Sequence, residues 1–212
     1  MTWALAIAVG FVVVGWLVRS NSRGKPFPVW AATFIDNRLV GFLSGTQTLI
    51  RRADVRPGIR VLDAGCGPGR LTIPLARAVG ANGQVVALDL QAGMLLRVQR
   101  NAEREALTNI RVVISLLATG AGALVSERAS IDRAFLVTVL GEILDPTDAL
   151  RAIRETLKPT GILSVTETII DPDYLSRAQV LKLAKDSGYE VASLHGSSLA
   201  FTVNLRVPST NS

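Results

Sequence analysis

The amino-acid sequence predicts an α/β fold: a doubly wound, mostly parallel sheet of seven strands that ends in an antiparallel β-hairpin, with a transmembrane helix ahead of it. Three observations carry this expectation. From residue 59 onward, short β-rich runs alternate with helical patterns, the arrangement that builds a parallel sheet covered by helices on both faces. The last two runs, Tyr189–Leu194 and Leu199–Val207, are joined by His195-Gly196-Ser197-Ser198, too short for the crossover a parallel pair requires. The first 18 residues are almost wholly apolar.

The N-terminal run Thr2–Val18 carries no charge over its 17 residues. As a helix it reaches roughly 25 Å, the low end of what crosses a bilayer core. Trp3 and Trp16 lie towards its two ends, where indoles favour the membrane interface, and Arg19, Arg23 and Lys25 follow at once. The positive-inside rule then places the bulk of the chain in the cytoplasm, as a single-pass membrane protein. A cleaved signal peptide fits less well, because no basic region precedes this run and no A-x-A-like site follows it. Residues 19–30, with Gly24, Pro26 and Pro28, read as a juxtamembrane linker. Residues 31–56 have apolar spacing at Phe34, Leu39, Phe42, Leu43, Leu49 and Ile50, which suggests one or two helices forming a lid or membrane-facing entrance. The expected organisation is an anchor over 1–18, linker and lid over 19–56, a main domain over 57–207 and a tail over 208–212.

Within the main domain the predicted strands are Arg60–Ala64, Gln84–Leu88, Ile110–Ile114, Ile131–Val137 and Gly161–Thr166, followed by the two hairpin strands. Helical stretches are expected near 70–80, 91–106, 145–157 and 173–187, with a weaker one near 119–127.

Composition narrows the function. The formal charge is +6, but the basic residues are scattered and aromatics make up 5% of the chain, which argues against a nucleic-acid surface. One cysteine, Cys66, rules out an intramolecular disulfide and a cysteine-based metal cluster. With a single histidine, His195, no metal-ligand spacing emerges.

The most informative stretch is Asp63-Ala64-Gly65-Cys66-Gly67-Pro68-Gly69, which follows an apolar strand and opens a helix. That is the position where open α/β sheets bind ligands. Glycines allow close backbone approach and positive φ, and the following helix N-terminus offers N–H groups to a carboxylate such as that of S-adenosylmethionine (SAM). The dinucleotide fingerprint G-x-G-x-x-G fails here, since its third glycine would fall on Arg70. A second acid, Asp89, closes the next strand 26 residues after Asp63, placed to receive both hydroxyls of a ribose. Together the two acids and three alternating glycines point to SAM rather than a nicotinamide dinucleotide.

With these residues quoted, a resemblance becomes specific. VLDAGCGPGRLT, VVALDLQAGML, IDRAFLVTVLGEILDP, ALRAIRETLKPTGILSVTE and SGYEVASLHG are similar to the class I SAM-dependent methyltransferases of the UbiE-like, "methyltransferase type 11" group. The resemblance runs from about residue 57 to 206 and implies their seven-stranded, Rossmann-like sheet. It implies that Asp63, Gly65, Cys66, Gly67 and Gly69 surround the methionine end of the cofactor. Asp89 would bind the ribose, and Leu90, Met94, Leu116 and Leu117 would lie along the adenine.

The sequence departs from these relatives at several places. Leu116 stands where an acid commonly meets the adenine amino group, a loss of about 0.5–1.5 kcal/mol. Leu140-Gly141-Glu142 replaces a frequent L-H-E, so a histidine base is missing and Glu142 is the candidate acid/base or substrate-orienting group. Arg133 sits in a run where an apolar or acidic residue is usual, and is expected near the strand's exposed end. His195 is expected in the hairpin turn, outside catalysis.

Methyl transfer from a sulfonium is mainly a positioning problem, and a base is needed only where the acceptor must first lose a proton. The absent histidine therefore suits an amine or an already acidic acceptor. A tether raises the effective concentration of membrane-dissolved compounds, which favours a lipid-like acceptor such as an isoprenoid quinone precursor or an amino-phospholipid headgroup. The competing expectation is a degenerate, SAM-binding member with a partner or regulatory role.

Overall fold

In the computed structural model, residues 45–117 and 124–208 are described. The expected anchor, the linker and most of the lid region lie outside them, as does most of the weak helix near 119–127 and all but the first residue of the tail. Among the described residues no helix is long and apolar enough to cross a membrane.

Helix α1 (Thr46–Arg52) leads into β1 (Arg60–Ala64), α2 (Thr72–Val79), β2 (Gln84–Asp89), α3 (Ala92–Arg104), β3 (Ile110–Ile114) and β4 (Ile131–Val137). Then come α4 (Pro146–Thr156), β5 (Leu157–Thr168), α5 (Arg177–Asp186), β6 (Glu190–Gly196) and β7 (Ala200–Arg206). The seven strands form one sheet in the order β3-β2-β1-β4-β5-β7-β6. All pairs are parallel except those of β7, which runs antiparallel to both β5 and β6. The mixed, seven-stranded sheet matches the expectation from the alternating pattern and the short terminal connection.

The strand residues read as nearly unbroken apolar runs because both faces of the sheet are covered. Val61, Val85 and Phe135 pack with α1 and α2 on one face, through Leu49, Ile50, Leu75 and Val79. Their chain neighbours Leu62, Val86 and Leu136 point to the other face, against Leu150 and Ile153 of α4 and Val180 and Ala184 of α5. Caps fix where two of these helices begin. Asp145 accepts the Asp148 N–H ahead of Pro146 at the start of α4, and Ser176 and Gln179 form a capping box on α5.

Three local expectations need correction. Strand β5 begins at Leu157 rather than Gly161, because α4 passes directly into it and Leu157 pairs with Ile131 across an irregularity in the register. His195 is not in the hairpin turn: it lies within β6, opposite Thr202, with Nε2 3.1 Å from the Ser193 hydroxyl. Arg133 is not at an exposed strand end. Its side chain is 17% exposed, and its Nε donates to the Ala53 carbonyl at 2.5 Å while Nη2 lies 3.6 Å from Asp54. It clasps the segment after α1 onto β4. Arg52 and Asn204 add to the clasp, with the Asn204 amide donating to the Arg52 carbonyl at 2.8 Å.

Candidate functional site

The carboxyl ends of β1, β2, β4 and β5 open on one cleft of about 940 Å³. Residues on the loops after these strands make its walls, as expected for the switch point of a doubly wound sheet.

At the end of β1, Asp63 is buried, and its carboxylate accepts the Thr72 hydroxyl at 2.6 Å and the Thr72 backbone N–H. It thus ties the strand to the first turn of α2 and fixes the loop between them. Burial, opposed by the Thr72 hydrogen bond and helped by the nearby Asp89, pushes its pKa up to about 6. Gly65 has φ of +73°, and a Cβ there would lie 2.6 Å from the Val139 methyls, so the loop and the chain after β4 approach as closely as glycine allows. Gly67 has φ of +52° with no atom within 4 Å of a would-be Cβ, on the open side of the loop. Cys66 belongs to the wall, but it is buried among Ala87, Leu95 and Val98, and burial raises its thiol pKa beyond any nucleophilic use.

Gly69 departs from the expected arrangement. It does not line the cleft; it turns the chain into α2, and a Cβ there would press on Val98 of α3 at 3.1 Å. Its part is packing behind the loop.

Asp89, 8% exposed at the end of β2, accepts the Gly67 N–H at 2.9 Å through one oxygen and the Gln91 N–H at 2.8 Å through the other. With the Leu90 N–H also directed at it, the carboxylate keeps one of its four lone pairs. Burial raises the pKa of this group, and the Gln91, Gly67 and Leu90 N–H bonds oppose the rise. Leu90, Met94, Leu116 and Leu117 share this end of the cleft, with Met94 buried and Leu90 and Leu116 exposed at its rim. The Ser115 N–H donates to the Asp89 carbonyl at 3.1 Å, which brings the turn after β3 beside Asp89.

The other end is built by the chain after β4 and by β5. Thr138 has φ of +53°, a conformation that costs a β-branched residue on the order of 1–3 kcal/mol; its N–H, donating to the Thr166 carbonyl at 2.9 Å, helps hold it. This turn carries Val139 under Gly65 and Glu142 into the cleft wall. Gly141 then has a steric explanation. A Cβ there would fall 1.8 Å from the Asp173 carbonyl oxygen, so the loop after β5 occupies the space a histidine would need.

That loop and β5 bring residues the sequence reading missed. Glu167 on β5 is 1% exposed, and Asp171 follows on the same wall. The signal was present: Glu167 ends an apolar strand run just as Asp89 does. The backbone N–H of Leu175 donates to the Glu167 carboxylate, yet its Oε1 has no hydrogen-bond partner. Burial and the neighbouring carboxylates of Asp171, Glu142 and Asp173 push its pKa up to about 8.

Comparison with known proteins identifies the fold and family. Residues 56–195 match the family model described as a methyltransferase domain. The chain belongs to this family. Its domain is that of SAM-dependent methyltransferases, and SAM is the cofactor consistent with it. It is 33% identical over 143 residues to the ubiquinone/menaquinone biosynthesis C-methyltransferase UbiE of Edwardsiella ictaluri, covering 66% of this chain and 51% of that protein. It is also 33% identical over 172 residues to an uncharacterized 37.1 kDa protein of a Streptomyces fradiae transposon, covering 70% and 48%. The chain thus spans about half the length of these curated relatives. The crystal structure of a SAM-dependent methyltransferase from Aquifex aeolicus superposes with a TM-score of 0.76 at 20% identity, covering 86% of this chain and all of that one. It shares the fold.

Proposed function

We propose that this chain transfers a methyl group from SAM to a small, lipid-like or membrane-associated acceptor. The observation that carries the proposal is one cleft, with the Gly65–Gly67 loop and Asp89 at one end and a partly apolar region beside β4 and β5 at the other. The described residues suit SAM. Gly67 leaves its side of the loop clear, Asp89 keeps a lone pair for a ribose hydroxyl, and Met94, Leu116 and Leu117 offer apolar surface for adenine. When bound, SAM supplies an electrophilic methyl on a sulfonium whose departure leaves a neutral thioether. Asp63 holds the loop, Asp89 orients, and Val139, Ile143 and Phe201 give the acceptor end of the cleft an apolar lining, with Leu144 and Ile170 exposed at its rim.

The membrane part of the proposal rests on the uncharged run Thr2–Val18 and the basic residues after it, which favour a single-pass tether with the domain in the cytoplasm. The match to a quinone-biosynthesis methyltransferase supports an acceptor of membrane-soluble character. Incubating the full chain with methyl-labelled SAM and membrane extract, then separating lipid, quinone and protein fractions, tests the proposal. Label is expected in the small lipophilic fraction. SAM bound with no label in any fraction would instead favour a SAM-binding regulator, the reading that exposed Leu116 at the adenine turn supports.

A further inference from the structure

Resting on the methyl-transfer reading above, we propose that the acceptor is a basic amine, drawn into the cleft by Glu142, Glu167 and Asp171, and that Glu167 takes the proton its ammonium form must shed before nitrogen can attack.

The chain as a whole carries a charge of +6, whereas the charged residues lining the cleft are mostly acidic among the described residues. Among the described residues its wall holds five carboxylates, Asp63, Asp89, Glu142, Glu167 and Asp171, against the guanidiniums of Arg52 and Arg70. A concave, partly apolar surface concentrates such a field and draws cations in. Asp63 and Asp89 have duties in the glycine loop. Glu142, Glu167 and Asp171 stand apart, on the β4 and β5 side, and Asp173 is near enough to act on Glu167 as well.

Like charges are costly to gather, so the fold must impose the arrangement. It does so through Gly141, whose missing side chain admits the Asp173 backbone and with it the whole loop from Asp171. Asp171 shapes that loop by accepting the Asp173 N–H at 2.9 Å. On the opposite wall Arg52 is committed to the Thr202 hydroxyl at 3.2 Å.

Glu167 supplies the second, independent observation. It is 1% exposed, it lines the cleft, and Oε1 lacks a hydrogen-bond partner. A buried polar atom left in this way is rare and calls for a donor. An ammonium brings up to three donors and a positive charge, satisfying Oε1 and relieving the repulsion from Glu142, Asp171 and Asp173. A carboxylate, or a phenol once it has lost its proton for attack, would bring a further negative charge into the same cluster. With a pKa near 8, Glu167 can also exchange a proton close to neutrality.

The step balances. The Glu167 carboxylate accepts one proton from R–NH3⁺, leaving R–NH2 and a neutral carboxylic acid. The nitrogen lone pair then forms the N–CH3 bond as the C–S pair passes to sulfur, giving the thioether and R–NH2⁺–CH3. The product is again a cation, faces Glu142 and Asp171, and leaves still protonated, while Glu167 gives the proton it took to water and returns to the carboxylate.

The full chain, saturated with S-adenosylhomocysteine, is titrated with hexylamine, hexanol and hexanoate in a calorimeter near pH 7, in two buffers of different ionisation heat. Hexylamine should bind roughly tenfold tighter than the other two, in proportion to one charge-assisted hydrogen bond, and should release protons. E167Q should lose both effects and E167D should recover part of them, with SAM affinity unchanged in both variants. Methyl-labelled SAM is then offered with free hexylamine or with phosphatidylethanolamine vesicles. Label on the first marks a free amine, and label on the second marks a lipid headgroup. Equal binding of hexanol or hexanoate, unaltered hexylamine binding in E167Q, or no label on either amine would overturn the amine assignment while SAM binding keeps the cofactor reading intact. Failure of the wild-type chain to bind SAM would remove the reading beneath both.

Discussion

Replacing Asp89 with alanine should separate cofactor binding from folding. In the structure its two oxygens accept the Gly67 and Gln91 N–H groups at 2.9 and 2.8 Å, and with the Leu90 N–H also directed at the carboxylate one of its four lone pairs is left for a ribose hydroxyl. One hydrogen bond to a charged acceptor is worth about 1.5–3 kcal/mol. At about 1.4 kcal/mol per decade its loss weakens SAM binding by about 10- to 10²-fold. Folding should suffer less. The site borders the cleft, so water reaches the two N–H groups, and the cost stays within the about 1–3 kcal/mol of one stranded buried polar group. Calorimetric titration with SAM, alongside urea unfolding of the same protein, measures both quantities. A Kd within about threefold of wild type in a folded variant would refute the ribose assignment of Asp89.

Other outcomes follow from the same geometry. G141A forces a Cβ towards the Asp173 carbonyl, and should cost at least about 3 kcal/mol in urea unfolding because backbone, not a flexible side chain, must yield. G65A meets Val139 and a φ of +73°; the combined strain, on the order of 2–4 kcal/mol, should appear as a lowered midpoint and lost SAM binding together. Asp63 and Glu167 have pKa values of about 6 and about 8 when folded, against ordinary values of 3.8 and 4.5. The native state therefore holds the extra protons, and stability should fall as pH rises from about 4 to 6 for Asp63 and from about 4.5 to 8 for Glu167. E167Q should flatten the upper part of that decline in urea midpoints, and an unchanged slope would show that Glu167 is not the group responsible. Membrane fractionation of the full chain against one lacking residues 1–18 should move the protein from pellet to supernatant if Thr2–Val18 is the tether.

Legibility from sequence tracked how local the determining physics was. β1 to β4 could be placed because burial on both faces writes continuous apolar runs, and the hairpin because a four-residue connection admits one pairing sense. The start of β5 could not, since Leu157 joins the sheet through an irregular pairing with Ile131 that no local pattern encodes. The pairing of Asp63 and Asp89 across the glycine loop was legible because both close apolar strands at a telling separation. Arg133 was not, because its partners Ala53 and Asp54 lie about eighty residues away in sequence. Gly69 was placed at the cofactor by the family resemblance, and only the position of Val98 reveals that it packs behind the loop.

The missing histidine joins these threads. Read along the chain, Gly141 is a deletion: a base removed, and catalysis put in question. In three dimensions it is a substitution of one acid/base arrangement for another. Removing the side chain at 141 lets the Asp171–Asp173 loop come down beside Glu142 and over β5, where it helps to desolvate Glu167 and raise its pKa into the range a histidine would have covered. A histidine base would be neutral or cationic before the reaction and would tolerate an acidic acceptor. A cluster of carboxylates would not, and it favours an acceptor that arrives with a positive charge. On the amine proposal, the same glycine would link the absence of a histidine, the burial of Glu167 beside the Asp171–Asp173 loop, and the acceptor chemistry that such a cluster favours.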